Sequence, residues 1–296
     1  MQSKIVFQNA VQRCKEADIP DPELEVSLLL SHVLRMQRTA VLLAGEQVLS
    51  QEQRDIFEKN LTRRLAREPL AYITGEKEFW SLDFMVSRDV LIPRPETEIL
   101  LEKTLSVLKR PEGKSAGTIN LLELGTGSGV IAIILALELA AVKVTAIDSS
   151  YKALKVARHN AKRHKVAERI NFINCSWFDG LEAAPVFDAV VSNPPYIAGE
   201  VLARPFGRTA DALQPEVGKY EPRLALDGGK GGVREIRKIA AGLGRVLKPR
   251  GWFFMEIGGD QQKEVSDIFS RTASFDSLAF YNDYAGLPRV FQARRK

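Results

Sequence analysis

The stretch Glu123-Leu124-Gly125-Thr126-Gly127-Ser128-Gly129 decides the fold. It follows the apolar run Ile119 to Leu124 and opens onto a second apolar run, Val130 to Leu137, with the length of a helix. Glycines at a strand-to-helix turn let a ligand approach backbone amides at the helix N-terminus. Asp148 ends the next strand candidate, Val142 to Asp148, about twenty residues past the loop, where a carboxylate can accept both hydroxyls of a ribose. Together they point to a cofactor containing adenosine. A dinucleotide fingerprint would place its last Gly or Ala at position 130, which is Val130, and the glycines here recur at every second residue instead. A methyltransferase using S-adenosylmethionine is therefore favoured over a dehydrogenase, with a purely structural turn as the competing reading of the loop taken alone.

Outward from this loop, Ile170 to Asn174, Phe187 to Asn193 and Trp252 to Ile257 are further strand candidates separated by helical stretches. The alternation indicates a largely parallel, Rossmann-like α/β sheet with helices on both faces. Leu278 to Tyr281 and Arg289 to Ala293 have no helix between them and are expected to pair antiparallel at one edge. Upstream, Ile5 to Leu65 reads as short amphipathic helices, with Asp21-Pro22 as a start signal. Leu24, Leu28 and Leu29 share a face there, and Val33, Leu34, Val41, Leu42, Leu43, Ile56, Phe57 and Leu61 extend the apolar set. Tyr72, Ile73, Phe79, Trp80, Leu82, Phe84 and Val86, broken by Gly75 and Asp83, read as a hairpin. Pro93-Arg94-Pro95-Glu96-Thr97-Glu98 then opens a helix, with Pro95 in its first turn. The expected organisation is a helical domain over 1–75, a hairpin linker over 76–95 and an α/β domain over 96–296.

Composition narrows the function classes. With 45% hydrophobic residues the chain can bury a full core, yet Glu138 closes its longest apolar run well short of the roughly 20 residues that span a bilayer. Lys4 and Arg13 interrupt the N-terminal segment, so no secretory signal is read there and a cytoplasmic protein is expected. Cys14 and Cys175 stand far apart, which supports neither a disulfide framework nor a zinc site. His159 and His164 are off the spacing that places two ligands on one helical face, and no metal is assigned. The formal charge of +5 is a mild bias. Lys152, Lys155, Arg158, Lys162, Arg163 and Lys165 crowd one helix, but without interleaved aromatics they read as a solvated face.

The second chemical signal is Asn193-Pro194-Pro195-Tyr196, at the carboxyl end of the fourth strand candidate. Ligands bind along that edge of such sheets. Two prolines remove two backbone donors and hold the segment extended, so the Asn193 side chain and the Pro194 carbonyl can both accept from a substrate NH2. Tyr196 can pack against a flat amide or ring. A delocalised nitrogen is a poor nucleophile, and its positioning must supply much of the rate. The bland alternative is a rigid turn after a strand. Arg94, Glu96, Glu221 and Arg223 belong either to the rim of such a site or to ordinary caps and loop ion pairs.

On these residues the chain resembles the HemK/PrmC family, the glutamine methyltransferases of peptide chain release factors, over nearly its whole length. The signals are Pro69 to Ile73 with Gly75-Glu76, Leu91 to Glu98, Gly125 to Gly129, Asn193 to Tyr196, and Tyr220 to Gly229. The resemblance implies a class I methyltransferase sheet in which Gly125, Thr126, Gly127, Ser128 and Gly129 line the methionine end of S-adenosyl-L-methionine. It implies that Asp148 holds the ribose, Trp177 borders the adenine and Asn193 to Tyr196 hold the glutamine, with Asn193 also touching the cofactor. The target would be the glutamine of a release factor's Gly-Gly-Gln loop, methylated by a monomer that needs no nucleic acid or membrane, with the helical domain touching the same protein at a distance. Two departures stand out: Ser176 where family members commonly have Asp, and a longer segment, Ala198 to Asp211, that reads as a flap with Arg204, Phe206 and Arg208 as partner contacts.

Two other functions stay open on the residues. Adenine presents its amino group on a planar ring, so an adenine-N6 nucleic-acid methyltransferase shares this chemistry, although the modest charge and the lack of a recognition domain weigh against it. A cofactor-binding scaffold without turnover is the alternative from another class, opposed by the intact Asn193 and glycine loop.

Overall fold

The computed structural model describes residues 3–43, 48–109, 117–207, 213–272 and 274–296. The chain begins with five helices, α1 (Ser3–Glu16), α2 (Pro22–Leu34), α3 (Arg38–Leu43), α4 (Gln51–Leu65) and α5 (Leu70–Thr74). A hairpin, β1 (Glu76–Phe79) and β2 (Leu82–Met85), precedes α6 (Thr97–Leu108). Then follow β3 (Ile119–Leu124), α7 (Val130–Glu138), β4 (Val142–Asp148), α8 (Tyr151–Arg163), β5 (Ile170–Asn174) and β6 (Phe187–Ser192). Three short helices come next, α9 (Gly199–Leu202), α10 (Pro215–Tyr220) and α11 (Arg223–Leu226). The chain closes with α12 (Arg234–Val246), β7 (Leu247–Glu256), α13 (Gln262–Arg271), β8 (Phe275–Asn282) and β9 (Pro288–Arg295).

Two compact units result. One comprises the residues up to Glu76 with Gln214–Tyr220, the other Lys77–Leu213 with Glu221–Lys296. In the first, Val26, Leu29, Leu30, Leu49, Phe57 and Leu61 form the centre of an apolar core. The buried face of α2 is thus Val26, Leu29 and Leu30, while Leu24 and Ile56 are left exposed; the side chains of Leu42 and Leu43 lie outside the described residues. Pro22 starts α2 as its first residue, with Glu23 and Glu25 in the first turn to meet the dipole, and the Asp21 side chain makes no cap bond. Helix α10, which the expected boundaries leave in the α/β domain, groups with the helical unit because of a buried charge network. Arg64 donates to Glu25 at 2.7 Å and to Glu216 at 3.1 Å, Arg67 donates to Glu216 at 2.9 Å, and the Tyr220 hydroxyl donates to the Ala66 carbonyl at 2.7 Å.

The second unit is a seven-stranded sheet of order β5-β4-β3-β6-β7-β9-β8. The first five strands in this order run parallel, and β9 pairs antiparallel with both β7 and β8. Alternate residues of β3 enter opposite cores: Ile119 and Leu121 join α6 and α7 on one face, and Leu122 and Leu124 join α12 and α13 on the other. Burial on both faces explains why β3 and β6 are mostly apolar, with Asn120 and Asp188 the less buried residues in them. Strand β7 starts at Leu247, before the expected Trp252, because the Lys248-Pro249-Arg250-Gly251 stretch forms an irregularity between the Phe187–Leu247 and Ala189–Trp252 pairs. Helix α6 starts at Thr97, so Pro95 lies in the turn ahead of it, where Glu98 N–H donates to the Pro95 carbonyl.

The hairpin belongs with the sheet unit. Phe84 is fully buried in its core, and the Asn160 side chain accepts from Met85 N at 2.8 Å while donating to Met85 O at 3.0 Å and Ser128 O at 2.9 Å. Asn160→Ala strands these three backbone groups in a buried place and is expected to cost about 3 kcal/mol, read as a lowered urea midpoint. An unchanged midpoint would show that the bridge contributes nothing to stability.

Candidate active site

Strand order reverses between β3 and β6, and in open α/β sheets the crevice beyond the carboxyl ends at such a point takes the ligand. A cavity of about 660 Å³ lies here, within the usual range for cofactor sites. Loops leaving β3, β4, β5 and β6 bring Gly125–Ser128, Asp148, Ser176, Trp177, Asn193 and Pro195 to its wall. Residues from four separate strands thus meet at one place.

The glycine loop is held from below. Gly125 and Thr126 N–H donate to the Ile147 carbonyl at 2.9 Å, and Gly127 N–H donates to Asp148 Oδ2 at 2.8 Å. Gly127 has φ 54°, and a Cβ there would meet nothing within 4 Å, so the loop turns its bare face to open space. Gly129 is required for a different reason: at φ 86° its Cβ would stand 3.0 Å from Ala157 Cβ, so only glycine lets α7 and α8 approach. Gly129 therefore shapes the loop and does not line the cavity.

Asp148 accepts from Gly127 N–H and, through Oδ1, from Ser150 N–H at 2.8 Å. Burial pushes its carboxyl above the usual range, against those two bonds. Each oxygen keeps a second lone pair for a hydroxyl. Trp177 also lines the cavity, its Nε1 donating to Glu235 at 2.8 Å and its ring lying 3.8 Å from the place of a Cβ on Gly125. Burial works against the Glu235 charge, but bonds from Arg234, Trp177 and Lys238 hold its carboxyl below the usual range. An open glycine face, a carboxylate with spare acceptor capacity and a fixed indole fit the ribose, adenine and amino-acid parts of an S-adenosylmethionine-type donor.

Asn193 and Pro195 line the cavity, whereas Pro194 is buried beside it. Asn193 Nδ2 donates to Glu256 Oε2 at 2.9 Å and to Thr97 Oγ1 at 3.3 Å. The Tyr196 hydroxyl is turned to Glu256 Oε1 at 2.9 Å, and burial together with that carboxylate pushes its pKa far above the usual phenol value, so it stays protonated as a donor. Glu256 and Thr97 were absent from the sequence reading as site residues, although Thr97 lies in the Arg94 to Glu98 motif. The available signal was a lone acid ending an otherwise apolar strand, Trp252 to Glu256.

Glu123 is another buried acid beneath the loop. It accepts from Thr126 Oγ1 at 2.6 Å, and burial pushes its carboxyl up to about 8 despite that bond. Arg94 and Arg223 both reach the cavity wall, and Arg94 is paired with buried Glu221, whose other oxygen accepts from Ile92 N–H. Of the longer segment after Tyr196, residues 199–202 form α9 and Phe206 is exposed, while Arg208 to Asp211 lie outside the described residues.

The crystal structure of the hMettl16 catalytic domain in complex with MAT2A 3′UTR hairpin 6 covers 82% of each chain with a TM-score of 0.55 and 12% identity, a likeness of fold. A family model for the PrmC N-terminal domain matches residues 6–75, and one for the methyltransferase small domain matches residues 97–215. The release factor glutamine methyltransferase of Caulobacter vibrioides is 40% identical over 281 residues, covering 95% of this chain and 92% of that protein. Its counterpart from Koribacter versatilis is 37% identical over 295 residues, covering 100% and 99%. With identity at this level along nearly the whole of both sequences, the chain is a methyltransferase and belongs to the release factor glutamine methyltransferase family.

Proposed function

We propose that this protein transfers a methyl group from S-adenosyl-L-methionine to the side-chain amide nitrogen of the glutamine in a release factor's Gly-Gly-Gln motif. The observation that carries this reading is the orientation of Asn193: with its NH2 committed to Glu256 and Thr97, its Oδ1 is the atom left to accept from a substrate N–H. When bound, the cofactor supplies a methyl group activated by a sulfonium. Asp148 holds the ribose hydroxyls, the amides of the glycine loop face the methionine end, and the Trp177 indole borders the adenine.

On the acceptor side, Asn193 Oδ1 and the Pro194 carbonyl take the two N–H bonds of the amide. Accepting from both hydrogens shifts electron density onto nitrogen and fixes its lone pair in line with the methyl. On transfer the amide nitrogen would take the methyl as the sulfonium's S–C bond breaks and would release one N–H proton to water, with Asn193 Oδ1 and the Pro194 carbonyl holding it in place. Tyr196 positions this segment through Glu256. The basic face of α8 has no part in the scheme, and the adenine-N6 alternative draws no support from the relatives named release factor glutamine methyltransferase.

The test is to incubate the protein with labelled S-adenosylmethionine and either a release factor or adenine-containing DNA, then locate the methyl by peptide mass spectrometry. Label on the Gly-Gly-Gln glutamine is expected. Label on DNA alone, or cofactor binding without label on either, would overturn the proposal.

A further inference from the structure

Glu256 is fully buried at the end of β7; burial pushes its carboxyl above the usual range against the bonds from Thr97 and Tyr196, and among the described residues each side-chain bond it makes is one it accepts. Thr97 Oγ1 donates to Oε2 at 2.6 Å, Asn193 Nδ2 donates to the same oxygen at 2.9 Å, and the Tyr196 hydroxyl donates to Oε1 at 2.9 Å. The three donors come from two distant parts of the chain: Thr97 from the first turn of α6, and Asn193 and Tyr196 from the loop after β6. Nothing about core packing calls for a carboxylate in this place, since an uncharged residue would avoid its desolvation.

A carboxamide can present either its oxygen or its NH2 to a ligand, and a neutral neighbour able both to donate and to accept would tolerate both orientations. A carboxylate tolerates only one. The Thr97 hydroxyl spends its proton on Glu256 and so meets Asn193 with a lone pair, which enforces the same choice at 3.3 Å. We infer that Glu256, with Thr97, is a positioning residue that locks the Asn193 amide with its oxygen toward the substrate, and so makes the site select an NH2-bearing glutamine over the carboxylate of a glutamate. This rests on the glutamine reading above and adds to it the origin of the selectivity: an outward NH2 on Asn193 would welcome a carboxylate, and an outward oxygen repels it.

Glu256→Gln keeps shape and hydrogen-bonding capacity but removes the constraint, because a glutamine at 256 can donate to Asn193 as well as accept from it. The expected result is a kcat for release-factor methylation lower on the order of 10- to 100-fold, as for other supporting-shell changes. Cofactor affinity and the KM for release factor should stay within about threefold. On an Asn193→Ala background the same substitution should cost nothing further, since Glu256 acts through that side chain. A release factor carrying Glu in place of the target glutamine should inhibit Glu256→Gln more strongly than it inhibits the wild type. Thr97→Val and Thr97→Ser give a second route if Glu256→Gln does not fold: the valine variant should lose rate and the serine variant recover it.

Full activity of a folded Glu256→Gln, or an equal loss with and without Asn193, would overturn the inference, as would equal rates for Thr97→Val and Thr97→Ser. Failure of the wild type to methylate any release-factor glutamine would instead overturn the functional reading beneath it, so the two failures are separable.

Discussion

Asn193→Ala should lower kcat for release-factor methylation on the order of 10²- to 10³-fold, the usual effect of removing one preorganised polar contact from a reacting centre. Affinity for S-adenosylmethionine should change little. Asn193 meets the cavity from the end of β6, whereas the carboxylate and glycine loop read as the cofactor's partners leave β4 and β3. The expected signature is therefore a loss in kcat with cofactor binding by titration calorimetry left within about threefold. The truncation also leaves Glu256 and Thr97 each short of one partner, so a modest fall in Tm is expected beside the loss of rate. A rate within twofold of wild type would remove Asn193 from the chemistry and with it the acceptor role of the whole Asn193 to Tyr196 segment.

Asp148→Ala should act on the other half of the site. Two hydrogen bonds from ribose hydroxyls to a carboxylate contribute about 1.5 to 3 kcal/mol each, and the substitution also releases Gly127 N–H, which Asp148 holds at 2.8 Å. A loss of about 3 kcal/mol, on the order of 10²-fold in the Kd for S-adenosylmethionine, is expected. Titration calorimetry measures it directly, and an unchanged Kd would place the ribose elsewhere. The wild-type pH dependence carries a matching sign. Burial raises the Asp148 carboxyl in the free protein, so cofactor affinity should fall on acidification at a higher pH than for an exposed aspartate. Asp148→Ala should flatten that part of the profile.

Much of this site lay open in the sequence because its parts are local. The loop from Gly125 to Gly129, the acid ending β4 and the two prolines after β6 each act through backbone geometry within a few residues, and spacing along the chain encodes such geometry. The parallel sheet was legible because strands buried on both faces are mostly apolar, as in Ile119 to Leu124 and Phe187 to Ser192, whose residues are buried apart from Asn120 and Asp188. Pro249 and Gly251 hid the first half of β7, since both argue against a strand unless a partner strand absorbs them in an irregular pair.

What the sequence by itself determined was therefore the fold class, the position of the glycine loop between β3 and α7, and a methyltransferase of the glutamine class. Only the tertiary structure decided that Glu256, far along the chain from Asn193 and Thr97, gathers both together with Tyr196, and that Tyr196 is turned toward that acid. It also drew α10 into the helical unit through Arg64 and Arg67. The physical reason is common to these cases: a buried charge is tolerated only where donors converge on it, and convergence is a property of three-dimensional packing that no spacing along the chain records.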